Sequence, residues 1–176
     1  MSAELKRRWT PVAIEPPTLS NNQWYLSSIV GIVLIAAAFL QIFSFQDFSN
    51  NFSDMGLSSA NWWAGAVLLA EIWGAASFFK IRLSWLFRKF SNFFAIAVAG
   101  FWFFESVRQA AMAPDELSPL DTMNYFGRFL AQAPGWWSVI EITAFSFLVL
   151  YALEMLRAKS GARLPVVAKV SHKKNK

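Results

Sequence analysis

The chain has 176 residues, 56% of them hydrophobic and 17% aromatic, with a formal net charge of +5 and no cysteine. That length holds one compact helical domain and little besides, and the missing thiols exclude disulfide exchange, thiolate metal sites and iron–sulfur ligation by this chain. The single histidine, His172, lies in a basic C-terminal tail, so paired-histidine haem ligation or an imidazole metal centre within the apolar region is excluded as well.

Residues 1–23 carry Lys6, Arg7 and Arg8 together with Pro11, Pro16 and Pro17, a composition that disfavours helix and buries little. They read as an extended cytoplasmic tail. The first apolar stretch follows at 24–45 and is joined by three more at 62–81, 86–107 and 136–156. At about 1.5 Å per residue, each is long enough to cross a hydrocarbon core of roughly 30 Å as a helix. The first is a poor signal peptide, because some twenty residues precede it and its apolar length exceeds an ordinary signal core. It is expected to be retained.

The first connection, 46–61, has a helical pattern of its own. Phe45, Phe48, Phe52 and Met55 fall on one face, with Asp47, Asn50, Asn51 and Asp54 elsewhere, and Gly56 followed by Leu57 fits a helix C-terminal stop. A short amphipathic helix is expected here, lying on the outer surface of the membrane or tucked into the mouth of the bundle. In the second stretch Ala66, Ala70 and Gly74 recur every four residues, giving a small face for close helix approach. Gly31, Ala95, Ala99 and Ser138 are the complementary small residues.

The next loop carries Lys80, Arg82, Arg88 and Lys89, and the long connection at 108–135 holds Asp115, Glu116 and Asp121 with only Arg108 and Arg128 as cations. Within that connection Ser118 and Pro119 open a second amphipathic helix whose apolar stripe is Leu120, Met123, Phe126 and Leu130. After the last stretch come Arg157, Lys159, Arg163, Lys169, Lys173, Lys174 and Lys176. Positive short loops stay cytoplasmic, so the alternation places both termini inside. Trp24, Trp62, Trp63, Trp85, Trp136 and Trp137 stand at the starts of the four stretches, where amphipathic rings meet headgroups.

The fold class predicted is therefore all-α: an integral membrane four-helix bundle with both termini cytoplasmic and short amphipathic helices in its two outer loops. It divides into a tail at 1–23, a transmembrane domain at 24–157 and a basic tail at 158–176. The net positive charge reads as topology and attraction to anionic lipid, and no nucleic-acid partner is expected.

Carboxylates within a span normally face the bundle interior, pair or become protonated. Glu71 falls near the midplane, roughly 13 Å from the outer end of its stretch, with Glu141 one to two turns in and Glu105 close to the outer end. Arg108 follows Glu105 by three residues, which lets the two meet on one helical face. Gln41 and Arg128 are the polar residues positioned to join them. Glu71, Glu105, Arg108, Glu141 and Gln41 thus form a candidate intramembrane polar cluster, and Phe48, Phe52, Phe126 and Arg128 are candidate outer-face contacts. For Glu71 and Glu141 two roles are open: structural hydrogen bonding, and proton or ligand handling. No nucleophile, metal-ligand set or cofactor motif accompanies them, and the Glu-x-x-His pairs of a di-iron bundle are missing.

The run from Gly31 to Gln41, the aromatic loop ending Met55-Gly56-Leu57, the segment Ala70-Glu71-Ile72-Trp73-Gly74 and the segment Arg82-Leu83-Ser84-Trp85-Leu86-Phe87-Arg88-Lys89 resemble the DoxX-like membrane proteins, a group that includes DoxD and MauE. The resemblance covers roughly residues 25–155. It implies a four-helix membrane bundle serving as a small subunit or maturation partner of a larger redox system in a bacterial inner membrane, with Glu71 matching the acidic residue of the group's second span. The absence of cysteine departs from a MauE-like thiol role. The function expected is a non-catalytic accessory or assembly subunit. The alternatives are a quinone-binding component of a quinol-dependent oxidoreductase and a small proton-coupled carrier. Membrane lipid and a larger protein complex or homo-oligomer are the expected partners. No cofactor is predicted, with quinone or lipid left open as ligands.

Overall fold

A computed structural model describes residues 13–14, 16–111 and 136–160. Its helices are α1 (Asn21–Phe43), α2 (Phe45–Asp54), α3 (Ala60–Ala75), α4 (Trp85–Ala111) and α5 (Trp136–Ser160). Three of them, α1, α4 and α5, are long and apolar enough to cross a membrane. α3 lies against both α1 and α4, α4 lies against α5, and α5 touches α1 more sparingly.

Each helix starts and stops for a local reason. Ser20 caps α1 through a capping box, in which its hydroxyl accepts from the Gln23 amide at 3.4 Å while the Gln23 side chain accepts from the Ser20 amide at 3.1 Å. The first stretch then ends two residues earlier than its apolar pattern suggests. Ser44 leaves helical geometry, and its hydroxyl donates to the Leu40 carbonyl at 3.1 Å, satisfying an acceptor that the break would otherwise orphan.

α2 closes as the sequence predicts. Gly56, at φ +76°, lets its amide donate to Ser53 at 2.8 Å and the Leu57 amide to Phe52 at 3.1 Å, the paired bonds of a Schellman stop. α2 lies along α3, and its aromatic face is turned into the core. Phe48 stacks on Trp102 with centroids 6.2 Å apart, and Phe52 stacks on Phe101 at 5.8 Å. Of the two placements open to this helix, the structure shows the tucked one.

The second stretch is shorter as an α-helix than its hydropathy suggests. α3 ends at Ala75 and continues as one 3-10 turn, Ala76–Phe78. Serines from neighbouring helices collect the backbone groups freed there. Ser91 donates to the Trp73 carbonyl at 2.7 Å and accepts from the Ser77 amide at 2.9 Å, while Ser27 donates to the Phe78 carbonyl at 2.8 Å. α4 is capped by Ser84, whose hydroxyl accepts from the Phe87 amide at 3.2 Å. The residues before α1 and before α4 also meet: Ala13–Ile14 (β1) pairs antiparallel with Leu83–Ser84 (β2). The N-terminal segment and the loop after α3 are thus at one end of the molecule.

The core is built from small residues between larger ones. Ala37 and Ala38 of α1, Ala64 and Ala75 of α3, Ala95 of α4 and Ala152 of α5 are all fully buried beside Leu34, Phe78, Trp102 and Val149. The small stripe of α3 is rotated from the one predicted: Ala66 is exposed, and the buried face runs through Ala64, Leu68, Glu71, Gly74 and Ala75. Gly74 makes the expected close approach, since a Cβ there would lie 2.9 Å from the Ala95 amide nitrogen. Gly31 is held against the Phe79 ring in a similar way, at 2.9 Å.

The exterior is apolar almost throughout, with Ile29, Ile32, Phe39, Leu69, Phe93, Ile96, Phe104 and Phe147 among its exposed side chains. Trp62, Trp63, Trp136 and Trp137 are exposed at helix starts, whereas Trp24 is buried in the core and is no surface anchor. Trp85 is half-buried beneath the Lys89 ammonium, 4.2 Å from its ring centroid.

Two glycines give opposite expectations. Gly74→Ala pushes a methyl into the α4 backbone and is expected to destabilise by about 1–3 kcal/mol. Gly65→Ala, with no atom within 4 Å of the new carbon, is expected to be neutral or to stabilise by up to about 1 kcal/mol. Thermal unfolding of the two variants in the same detergent checks the pair.

Candidate functional site

Helical spacing carries three polar-capable side chains from three helices to one point in the interior. On α1 the buried face Leu34, Ala37, Ala38 ends at Gln41; on α3 the face Ala64, Leu68 continues to Glu71; on α4 the face Ala95, Val98, Ala99 leads to Trp102. In each case an i, i+3 or i, i+4 step from an apolar core position places the next residue in the core as well.

Glu71 has no exposed surface. Its Oε1 accepts two hydrogen bonds, from Trp102 Nε1 at 2.8 Å and from Gln41 Nε2 at 3.1 Å. One carboxyl oxygen therefore ties α1, α3 and α4 together. The second oxygen, Oε2, is buried and has no hydrogen-bond partner among the described residues. Trp102 is held in turn by the aromatic rings of Phe48 and Phe101. The indole has a single N–H to donate, and in a core of this kind it needs an acceptor.

One turn further along α4 lies a second polar group. Arg108 grips Glu105 with two bonds, Nε to Oε2 at 2.9 Å and a terminal guanidinium nitrogen to Oε1 at 2.7 Å, the bidentate geometry that favours arginine over lysine. Gln109 adds a third donor at 2.8 Å. The Glu105 carboxylate is 4% exposed, against 46% for Arg108, so the pair runs from the interior outward. All three residues belong to α4, and these three bonds lie within that helix.

The expected cluster of five thus divides in three. Gln41 joins Glu71 instead of Glu105, Glu105 joins Arg108, and Glu141 stands apart, exposed on α5 with no hydrogen bond or ion pair to the described residues. Phe48 and Phe52, expected as outer-face contacts, are 2% and 1% exposed. They serve as core residues, because stacking on Trp102 and Phe101 turns their face inward. Phe126 and Arg128, together with the amphipathic helix expected from Ser118, lie outside the described residues.

The sequence pattern does not single out Trp102, Gln109, Ser27 or Ser91. For Trp102 the signal was available: it lies three residues before Glu105 and seven after Ala95, on the same helical face. Gln109 stands four residues after Glu105, again a same-face spacing. Ser27 and Ser91 act on backbone carbonyls at a helix end, and nothing local to either serine reveals that.

Among the described residues no group of three or more His, Cys, Asp or Glu side chains converges as a metal site would require. The geometry offers one carboxyl group poised to accept or donate hydrogen bonds in an apolar interior. Comparison with protein-family models, curated proteins and solved structures finds no match.

Glu71→Ala removes the acceptor that Trp102 and Gln41 share and is expected to destabilise by about 1–3 kcal/mol. Glu141→Ala removes no bond and is expected to change stability by less than about 0.5 kcal/mol. Unfolding of both variants in one detergent tests the contrast.

Proposed function

We propose that this chain is a four-span protein of the bacterial inner membrane, with both termini cytoplasmic, acting as a non-catalytic accessory or assembly subunit of a larger membrane or periplasmic redox enzyme. α3 is the span that needs arguing. Its sixteen α-helical residues rise about 24 Å, and the 3-10 turn adds about 6 Å, together matching a hydrocarbon core of roughly 30 Å. The pairing of Ala13–Ile14 with Leu83–Ser84 supports a common side for the N-terminal tail and the loop that bears Lys80 and Arg82, as the positive-inside pattern requires.

The observation that carries the subunit reading is the use made of the interior polar groups. Glu105 is engaged by Arg108 and Gln109, and Glu71 binds Trp102 and Gln41. Glu71, Gln41 and Trp102 tie three helices together, and the broad apolar exterior is the part left to meet other molecules. The redox character of the enzyme rests on the likeness to DoxX-like proteins alone.

A specific observation favours a second reading, a quinone-binding component of a quinol-dependent oxidoreductase. Glu71 Oε2 is a buried acceptor with no partner among the described residues, on the carboxyl group that Trp102 binds, and a quinol hydroxyl is a donor of suitable chemistry. Glu141 does not share that location.

Mass spectrometry of the gently solubilised native protein separates the readings. Stoichiometric recovery with a larger enzyme is expected, while a strictly lone species with no crosslinked partner would overturn the subunit role. Retained quinone, together with loss of quinol oxidation in Glu71→Gln, would establish the second reading in its place.

A further inference from the structure

α5 is the least enclosed of the three long helices. A smaller share of its apolar length is buried than of α1 or α4. Its inward side is Val149, Ala152, Leu153 and Leu156. Trp137, Glu141, Ala144, Leu148 and Tyr151 are all exposed, and their spacing of four, three, four and three is the seam along which one helix receives another. Ala144 sits in the middle of that seam, where a small residue admits a close neighbour.

The direction of the seam follows from Ser146, whose hydroxyl donates to the Ala99 carbonyl of α4 at 3.4 Å. Five residues separate Glu141 from Ser146, which at 3.6 residues per turn sets them roughly 140° apart around the helix. Glu141 therefore lies on the flank of α5 turned from α4 toward α1. That is the side on which α5 makes its sparser contact.

Glu141 itself demands a partner. It stands five residues below Trp136, about 7.5 Å along the helix, and a carboxylate presented outward from a span is costly unless paired. No described side chain pairs with it. Arg108, the described cation at this end of the bundle, is held by two bonds to Glu105. A second copy docked by the same face in parallel would set Glu141 against Glu141, so like charge opposes self-association here.

We propose that the α1-facing flank of α5 is the docking surface for a transmembrane helix of another polypeptide, and that Glu141 receives a lysine or arginine of that helix in the outer half of the membrane. This rests on the subunit reading above and names the surface and the partner's chemistry. The carboxylate supplies specificity, because lipid tails and partner side chains are equally apolar and a wrong helix leaves the charge unpaired.

The test uses the full chain, fluorescently labelled, in phosphatidylcholine vesicles, with synthetic leucine–alanine transmembrane peptides read by energy transfer. One peptide carries a single lysine five residues from its end, and a second carries leucine there. The lysine peptide is expected to associate about tenfold more tightly than the leucine peptide, the scale of one strong polar contact between membrane helices, and Glu141→Gln is expected to abolish the difference. Equal association of both peptides would overturn the proposal, as would a preference for lysine that survives Glu141→Gln. Energy transfer between labelled copies without peptide, lost in Glu141→Gln, would show a second copy as the occupant and overturn it too. Replacing phosphatidylcholine by phosphatidylethanolamine tests the lipid amine: suppression of lysine-peptide binding there would assign Glu141 to headgroups instead. Recovery of the native partner complex in Glu141→Gln cells distinguishes the two levels of the argument. A complex retained in full would place docking elsewhere and leave the subunit reading standing, whereas the absence of any complex in wild-type cells would remove that reading as well.

Discussion

A carboxyl group buried in a helical interior has to be answered by hydrogen bonds from neighbouring helices, and the arrangement around Glu71 follows from that requirement. Trp102 and Gln41 meet it from two neighbouring helices, so the rotation of α1, α3 and α4 about their axes is fixed together. Apolar contacts alone would tolerate several rotations of each helix. An isolated apolar exterior gives no direction either, because Ile29, Leu69 and Phe93 face outward as readily as Leu34 faces inward. The polar tie supplies the register, at the cost of placing an acceptor where water cannot reach it.

The same tie organises its surroundings. The Trp102 ring that reaches Glu71 packs against Phe48 and Phe101, which brings the short helix α2 into the core as a wall of the site. Close approach of α3 to α4 at Gly74 and Ala95 keeps the Glu71 carboxyl within reach of the indole. Ser91, one turn before Ala95, collects the carbonyls of Trp73 and Gly74 and so ends α3 where the backbone comes nearest to α4. Backbone groups that lose their helical partners away from water need such substitutes.

Much of this was legible in the residues. The apolar stretches located α1, α4 and α5, and the Phe45–Phe48–Phe52–Met55 spacing with Gly56 located α2 and its stop, because those signals are local and periodic. The spacing of Glu105 and Arg108 is a local signal too. What the sequence hid was tertiary. Hydropathy cannot show that Ser44 or Ala75 ends a helix when Phe45 and Phe78 are as apolar as the residues before them. A tryptophan at a helix start is an interface anchor or a core residue according to which face the bundle buries, and Trp24 took the second role. The sequence leaves Gln41 free to join Glu105, and the fold sets it beside Glu71, thirty residues away in the chain, a choice made by helix rotation that no single helix encodes.

The central claim, that one hydrogen-bonded carboxyl couples three helices, is tested most directly by a double-mutant cycle of Glu71→Leu and Trp102→Phe, followed by reversible unfolding in mixed micelles. If Glu71 and Trp102 act as a pair, the double variant loses less stability than the two single variants summed, by about 1 kcal/mol or more. Strictly additive losses would show that the indole and the carboxyl stabilise the bundle independently, and would contradict the account.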